Sequence, residues 1–139
     1  MSYDLFLWST KPVKADNLPD KSSWKFFKDE SEFQTEHWQV CVSNSIKVNK
    51  LKSDDKKASS KVKKHLPKVA YRTTVWLEPL GAGKEGYKKI GEVARYLMQQ
   101  TDGLIEDRSN GQIETLEKDP MVISIIKKLL GLENKIRFI

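Results

Sequence analysis

The stretch from Val69 to Leu116 constrains this chain most. It reads as a strand (VAYRTTVWLEP), a glycine-rich turn (LGAGKEG), a helix (YKKIGEVARYLMQQT) and a hairpin (DGLIEDRSNGQIETL). Tyr71, Thr73, Val75 and Leu77 alternate with Arg72, Thr74, Trp76 and Glu78, the period of a strand. Pro79 stops it. Between Glu85 and Thr101 the apolar residues Tyr87, Ile90, Val93, Ala94, Leu97 and Met98 recur at helical spacing. Gly103 is expected to close that helix as a left-handed cap. Leu104 and Ile105 begin a further strand. Arg108-Ser109-Asn110-Gly111 turns it back, because Asn-Gly tolerates positive φ, and Ile113 and Leu116 lie on the returning arm.

The flanking segments add strands and helices. Tyr3, Leu5 and Leu7 alternate with Asp4, Phe6 and Trp8. Both sets are largely apolar, so this strand is expected to be central or covered on both sides. Pro12, Pro19 and Asp20 mark a loop. Residues 21–36 suggest a short helix, capped by Ser22 or Ser23 and presenting Trp24, Phe27 and Phe33. Trp38, Val40 and Val42 alternate with Gln39, Cys41 and Ser43, and Asn44-Ser45 bends this strand before Ile46 and Val48. Residues 54–65 have helical spacing: Ala58, Val62 and Leu66 form one narrow stripe, and Pro67 ends it. Asp119 and Pro120 open a final helix with a stripe of Val122, Ile125, Ile126, Leu129 and Leu130. Together these predict an α+β single domain over residues 1–139. Its mixed or antiparallel sheet should have roughly four to six strands, with helices mainly on one face.

A chain of 139 residues can bury a core without disulfides or metals. The single cysteine, Cys41, excludes an internal disulfide and fits a reducing compartment. We read it as a small buried apolar residue. Two histidines, His37 and His65, and one cysteine do not supply the clustered ligands of a metal site, so none is expected. The opening Met-Ser-Tyr-Asp-Leu-Phe-Leu-Trp lacks a basic leader, and no apolar run is long enough to span a bilayer. A cytoplasmic protein without membrane partners is the expectation.

The formal net charge of +6 is local. Ser45–Val69 holds nine lysines and two aspartates, hence +7, and the remaining sequence is −1. The lysines include Lys57, Lys61 and Lys64. A block of this kind can contact phosphates, but no aromatic residue is interleaved for base stacking. A solvated helix face is the favoured reading, and a small nucleic-acid-binding domain using residues 54–65 is the alternative. A second cluster is acidic: Asp29, Glu30, Glu32 and Glu36.

Gly81-x-Gly83-x-x-Gly86 follows a strand, opens a helix and has Asp107 downstream, which is the context of a dinucleotide-binding turn. Three features argue against it. The preceding strand alternates with polar residues, Pro79-Leu80 loosens the turn, and the next strand folds back at once. A flexible turn accounts for the glycines better, and a nucleotide-binding enzyme is the least favoured alternative. A Walker loop fails as well, because Glu85 follows Lys84. Glu106 and Asp107 are strand neighbours pointing to opposite faces, so they do not form an acid/base pair. Glu78 and Asp107 would meet if their strands were adjacent. No catalytic residue and no cofactor is expected.

Several short motifs carry a resemblance: Ser2-Tyr3-Asp4-Leu5, Trp38 opening a strand, Leu66-Pro67, Leu77-Glu78-Pro79, and Asp102-Gly103-Leu104-Ile105-Glu106-Asp107. In these the chain resembles small bacterial immunity proteins of polymorphic-toxin and contact-dependent growth inhibition systems. The resemblance implies a cytoplasmic, non-enzymatic protein that binds and neutralises a cognate toxin domain, often a nuclease. Two surfaces of opposite sign are then available to the toxin. One is the lysine block, with Lys57, Lys61 and Lys64. The other is Asp29, Glu30, Glu32 and Glu36, together with Glu106, Asp107 and Arg108 of the hairpin. A basic toxin would meet the acidic set, and the sequence leaves the choice open.

Overall fold

The computed structural model describes residues 2–14, 18–52, 62–79 and 81–107. Seven strands form one sheet: β1 (Tyr3–Ser9), β2 (Trp24–Phe26), β3 (Glu30–Gln34), β4 (Gln39–Ser43), β5 (Ile46–Lys47), β6 (Tyr71–Glu78) and β7 (Leu104–Asp107). One long helix, α1 (Gly83–Thr101), packs against it. The strand order is β2-β3-β4-β6-β1-β7, and β5 pairs with the first residues of β6. Every pairing is antiparallel. The fold is α+β, as the pattern predicts.

Alternation decides which side chains α1 covers. Tyr3, Leu5 and Leu7 of β1, Val40 and Val42 of β4, and Val75 and Leu77 of β6 join Tyr87, Ile90, Val93, Ala94, Leu97 and Met98 in one core. Fully burying such a side chain contributes about 1.5–3 kcal/mol. The opposite face of β1 is covered at one end by a second cluster, in which Trp8 is buried with Leu51, Val62 and Val69, and Phe6, Val48 and Leu66 pack beside them. β1 is thus apolar on both sides for the expected reason.

The strand count exceeds the expected four to six. Residues 21–36 account for the excess, because they form the β2–β3 hairpin and not a helix. Trp24 explains why. It is buried, donates its indole N–H to the Pro19 carbonyl at 2.7 Å and meets Phe33 edge-on at 5.7 Å. That is a cross-strand aromatic pair, Trp24 being in register with Phe33, and tertiary packing overrides weak helical spacing. The break between β4 and β5 falls at Asn44-Ser45 as expected. The Ser45 hydroxyl bonds the buried Thr73 at 2.7 Å and accepts the Val13 N–H at 2.8 Å.

The helix ends differently from the expectation. Asp102, not Gly103, takes the left-handed conformation, with φ of 50°. Gly103 is needed for space: a Cβ there would lie 2.8 Å from the Trp8 carbonyl oxygen and 2.7 Å from Leu7 Cδ1. Of the 54–65 helix, only its end falls among the described residues. Val62 is buried and Leu66 packs beside it, as the stripe predicts. The returning arm of the hairpin and the helix after Asp119 lie outside the described residues.

Candidate functional site

Every second residue of each strand points away from α1, and the register assembles them into rows. Glu32, Cys41, Trp76 and Asp4 are successive partners across β3, β4, β6 and β1. Gln34, Gln39 and Glu78 form the next row, and Glu30 lies opposite Ser43. Among the described residues, no helix packs over these rows.

Hydrogen bonds tie this face together. Lys25 Nζ donates to Gln34 Oε1 at 3.2 Å. Gln34 Nε2 donates to Glu32 Oε2 at 3.3 Å and to Gln39 Oε1 at 3.5 Å. Gln39 Nε2 donates to Glu78 Oε2 at 3.2 Å, and Trp76 Nε1 donates to Glu78 Oε1 at 2.7 Å. The result is a polar ladder ending on a carboxylate held by two donors.

The face is electrostatically crowded. Partial burial, then Glu32, Glu78 and Asp29, push the Glu30 carboxyl above the ordinary glutamate value. Burial first, then Glu32, Glu30 and Glu78, push the Cys41 thiol up to about 12. Its Sγ–H donates to Glu32 Oε1 at 3.9 Å. A thiol held protonated is a poor nucleophile. Donor atoms of Glu30, Glu32 and Cys41 lie within 4.8 Å of one another, and within this group the thiol donates to Glu32.

One end of the face runs into an aromatic turn. Thr35 closes the β3–β4 hairpin: its Oγ1 accepts the Trp38 N–H at 3.1 Å, and its N–H donates to the Trp38 carbonyl at 2.8 Å. Trp38 stacks on Phe33 with centroids 5.9 Å apart and planes 21° apart. On the α1 side, Lys89 Nζ sits 4.2 Å over the Phe33 ring and 3.3 Å from Asp20 Oδ2. Trp38 divides two clefts. One of about 450 Å³ is lined by Gln34, Trp38, Gln39 and Glu78 among others. The other, of about 300 Å³, is lined by Phe33, Trp38, Glu85 and Lys88 among others.

The expected site residues are distributed unevenly. Glu30 and Glu32 lie on the open face. Asp29 and Glu36 are exposed at opposite ends of β3, with Glu36 Oε2 3.9 Å from His37 Nε2. Glu106 is buried and accepts the Trp8 indole N–H at 3.1 Å, so its carboxylate is engaged within the fold. The Asp107 backbone pairs with Leu5. Lys64 is exposed in a turn. Lys57, Lys61 and Arg108 lie outside the described residues.

Glu78 and Asp107 do not meet on neighbouring strands, because β1 lies between β6 and β7. The glycine turn therefore joins two parallel strands split by an antiparallel one, and Asp107 is a strand removed from it. Gly86 serves packing: a Cβ there would lie 3.1 Å from Leu77 Cδ1 and 3.4 Å from Trp38 Cγ. The sequence reading missed Asp4, Gln34, Gln39 and Trp76 as members of the open face. Alternation was visible around Asp4, Gln39 and Trp76 but not around Gln34, which lies in the stretch read as a helix, and only the register sets all four beside the acids.

Comparison with models of known protein families, with curated proteins and with solved structures finds no match. Among the described residues, no helix is long and apolar enough to cross a membrane.

Proposed function

We propose that this chain is an immunity-type binding protein, which neutralises a cognate toxin domain by contact and without chemistry of its own. The contact surface is the open face of the sheet, and the partner is basic, as a nuclease domain is. One observation carries this reading. A chain of net charge +6 gathers Glu30, Glu32 and Glu78 on one sheet face, fixed by a ladder of glutamines and Trp76. Gathered carboxylates raise the association rate with a basic surface and disfavour an acidic one, and Lys25, bonded to Gln34, is the cation of the ladder itself. Its side chains are already ordered by their mutual bonds, so docking costs little further rotamer entropy. Trp76, on the same face, supplies aromatic area of the kind that dominates binding energy in many interfaces.

The test is protection. The toxin of such a pair is the variable C-terminal domain of a large secreted protein encoded next to its inhibitor. Expression of that domain should arrest growth, and co-expression of this chain should restore it. Arrest that persists in the presence of folded chain would contradict the proposal.

A further inference from the structure

We infer that two lysine-bearing segments, residues 46–52 and 62–70, form one surface that binds the phosphate backbone of a nucleic-acid duplex. The inference is independent of the acidic-face reading. In sequence the basic residues suggest one helix over residues 54–65. The fold sets a second segment beside the end of that stretch. Val48 and Leu51 of the first segment pack in the same cluster as Val62, Leu66 and Val69 of the second, around Trp8. The Val48 N–H donates to the Ala70 carbonyl at 2.9 Å, so the two segments are bonded as well as packed. Their apolar side chains are drawn inward and the lysines between them are left outside. Lys47, Lys50, Lys52, Lys63, Lys64 and Lys68 are all exposed.

This charge is not neutralised within the fold. Among the described residues, none of the six lysines takes part in an ion pair, whereas Lys89 is held by Asp20. Neither segment contains an acid. Lys47 pairs with Tyr71 at the start of β6, and Glu78 ends that strand, roughly 23 Å further on at the rise of a strand. That distance exceeds the Debye length of about 8 Å at physiological salt, so Glu78 does not cancel the basic end. Asp29, whose carbonyl accepts the Asn44 N–H at 3.0 Å, borders the surface on the β3 side.

The exposed chemistry selects the partner. Apart from Ile46 and Pro67, the exposed residues of the two segments are the six lysines, Asn49 and His65. A protein interface is built on an apolar or aromatic centre and is depleted in lysine. A phosphate backbone needs only cations, each contact releasing a condensed counterion. Neither segment holds an aromatic residue on which an unpaired base could stack, so a duplex fits better than a single strand and its sequence is not read.

The test titrates the full chain into short labelled DNA and RNA duplexes, followed by fluorescence anisotropy. Both should bind with comparable affinity, with a dissociation constant of about 1–100 μM at physiological salt. On DNA, six phosphate contacts predict a log–log salt slope of about −5, hence about a thousandfold weakening from about 50 to about 200 mM salt. The pair Lys47→Gln and Lys50→Gln, and separately the pair Lys63→Gln and Lys64→Gln, should each bring the slope about two closer to zero. Lys84→Gln, exposed at the start of α1, should leave it unchanged, and circular dichroism checks that every variant is folded. No binding of either duplex at about 50 mM salt, or a slope that only one pair or neither pair moves, would overturn the surface. Tighter binding of a single strand would contradict the backbone reading. Binding of polyglutamate in place of both duplexes would assign the lysines to an acidic protein and overturn the proposal as well. Protection against the toxin and its dependence on Glu32 are read in separate assays, so either proposal can fail alone.

Discussion

Trp76 and Glu78 stand two residues apart on the same face of β6, and the indole N–H of the first donates to the carboxylate of the second at 2.7 Å. The bond joins an aromatic surface to a fixed negative charge beside the cleft. It arises from strand alternation alone, since residues i and i+2 share a face. Trp76→Phe removes the donor and keeps the ring. Because the bond is charge-assisted and partly exposed, we expect a loss of stability of about 1–2 kcal/mol, measured by denaturant unfolding. No loss would mean that Glu78 is held by Gln39 alone.

The glycines of the chain should separate by role. Gly103→Ala places a Cβ 2.8 Å from a backbone oxygen that cannot move cheaply, and such overpacking costs about 1–3 kcal/mol. Gly81→Ala meets nothing within 4 Å and should be neutral or stabilising by up to about 1 kcal/mol, through a restricted unfolded chain. Thermal or urea melts of the two variants check both signs at once.

Crowding of carboxylates gives a pH dependence with a defined direction. Glu30 has its folded pKa raised, so the native state binds its proton more tightly than the unfolded chain does. Stability from this group therefore falls as pH rises from the ordinary glutamate value through the raised one. Above that window the repulsion is fully present. Glu30→Gln should stabilise the protein at pH 7 by less than about 1 kcal/mol, because solvent screens a partly exposed group. The gain should vanish at acidic pH, below the ordinary glutamate value. A gain that persists there would assign the effect to something other than charge.

Cys41 should be inert in the native protein. With its thiol pushed up to about 12 and 1% of its surface exposed, the thiolate fraction at pH 8 is on the order of one in ten thousand. Alkylation by iodoacetamide should be undetectable in native buffer over hours and prompt in denaturant. Rapid native labelling would show that the strand pair β3–β4 opens, or that the thiol is not held as described.

The sequence made much of this architecture legible, and the failures have physical causes. The strands β1, β4 and β6 and the helix α1 announce themselves because each has a long, regular apolar face. The β2–β3 hairpin does not. Its strands are three and five residues long, and its aromatic pairing of Trp24 with Phe33 appears only once the chain folds back. The acidic cluster was visible as a local run from Asp29 to Glu36. Read as part of a short helix, that run did not place Glu30 and Glu32 on one face; the strand β3 does, and nothing local revealed that Glu78, far away in the chain, completes it through β4. Glu106 shows the converse. A charged residue on a strand reads as surface, yet here it lies buried against Trp8.

The most direct test is the affinity of the chain for its toxin domain after reversal of charge on the sheet face, measured by calorimetry. The paired change Glu32→Lys and Glu78→Lys should weaken binding at least about 100-fold, the scale of losing close charge pairs at an interface, while Lys64→Glu should leave it nearly unchanged. Unaltered affinity in the paired variant, or loss of binding on reversing Lys64, would contradict the assignment of this face as the inhibitory surface.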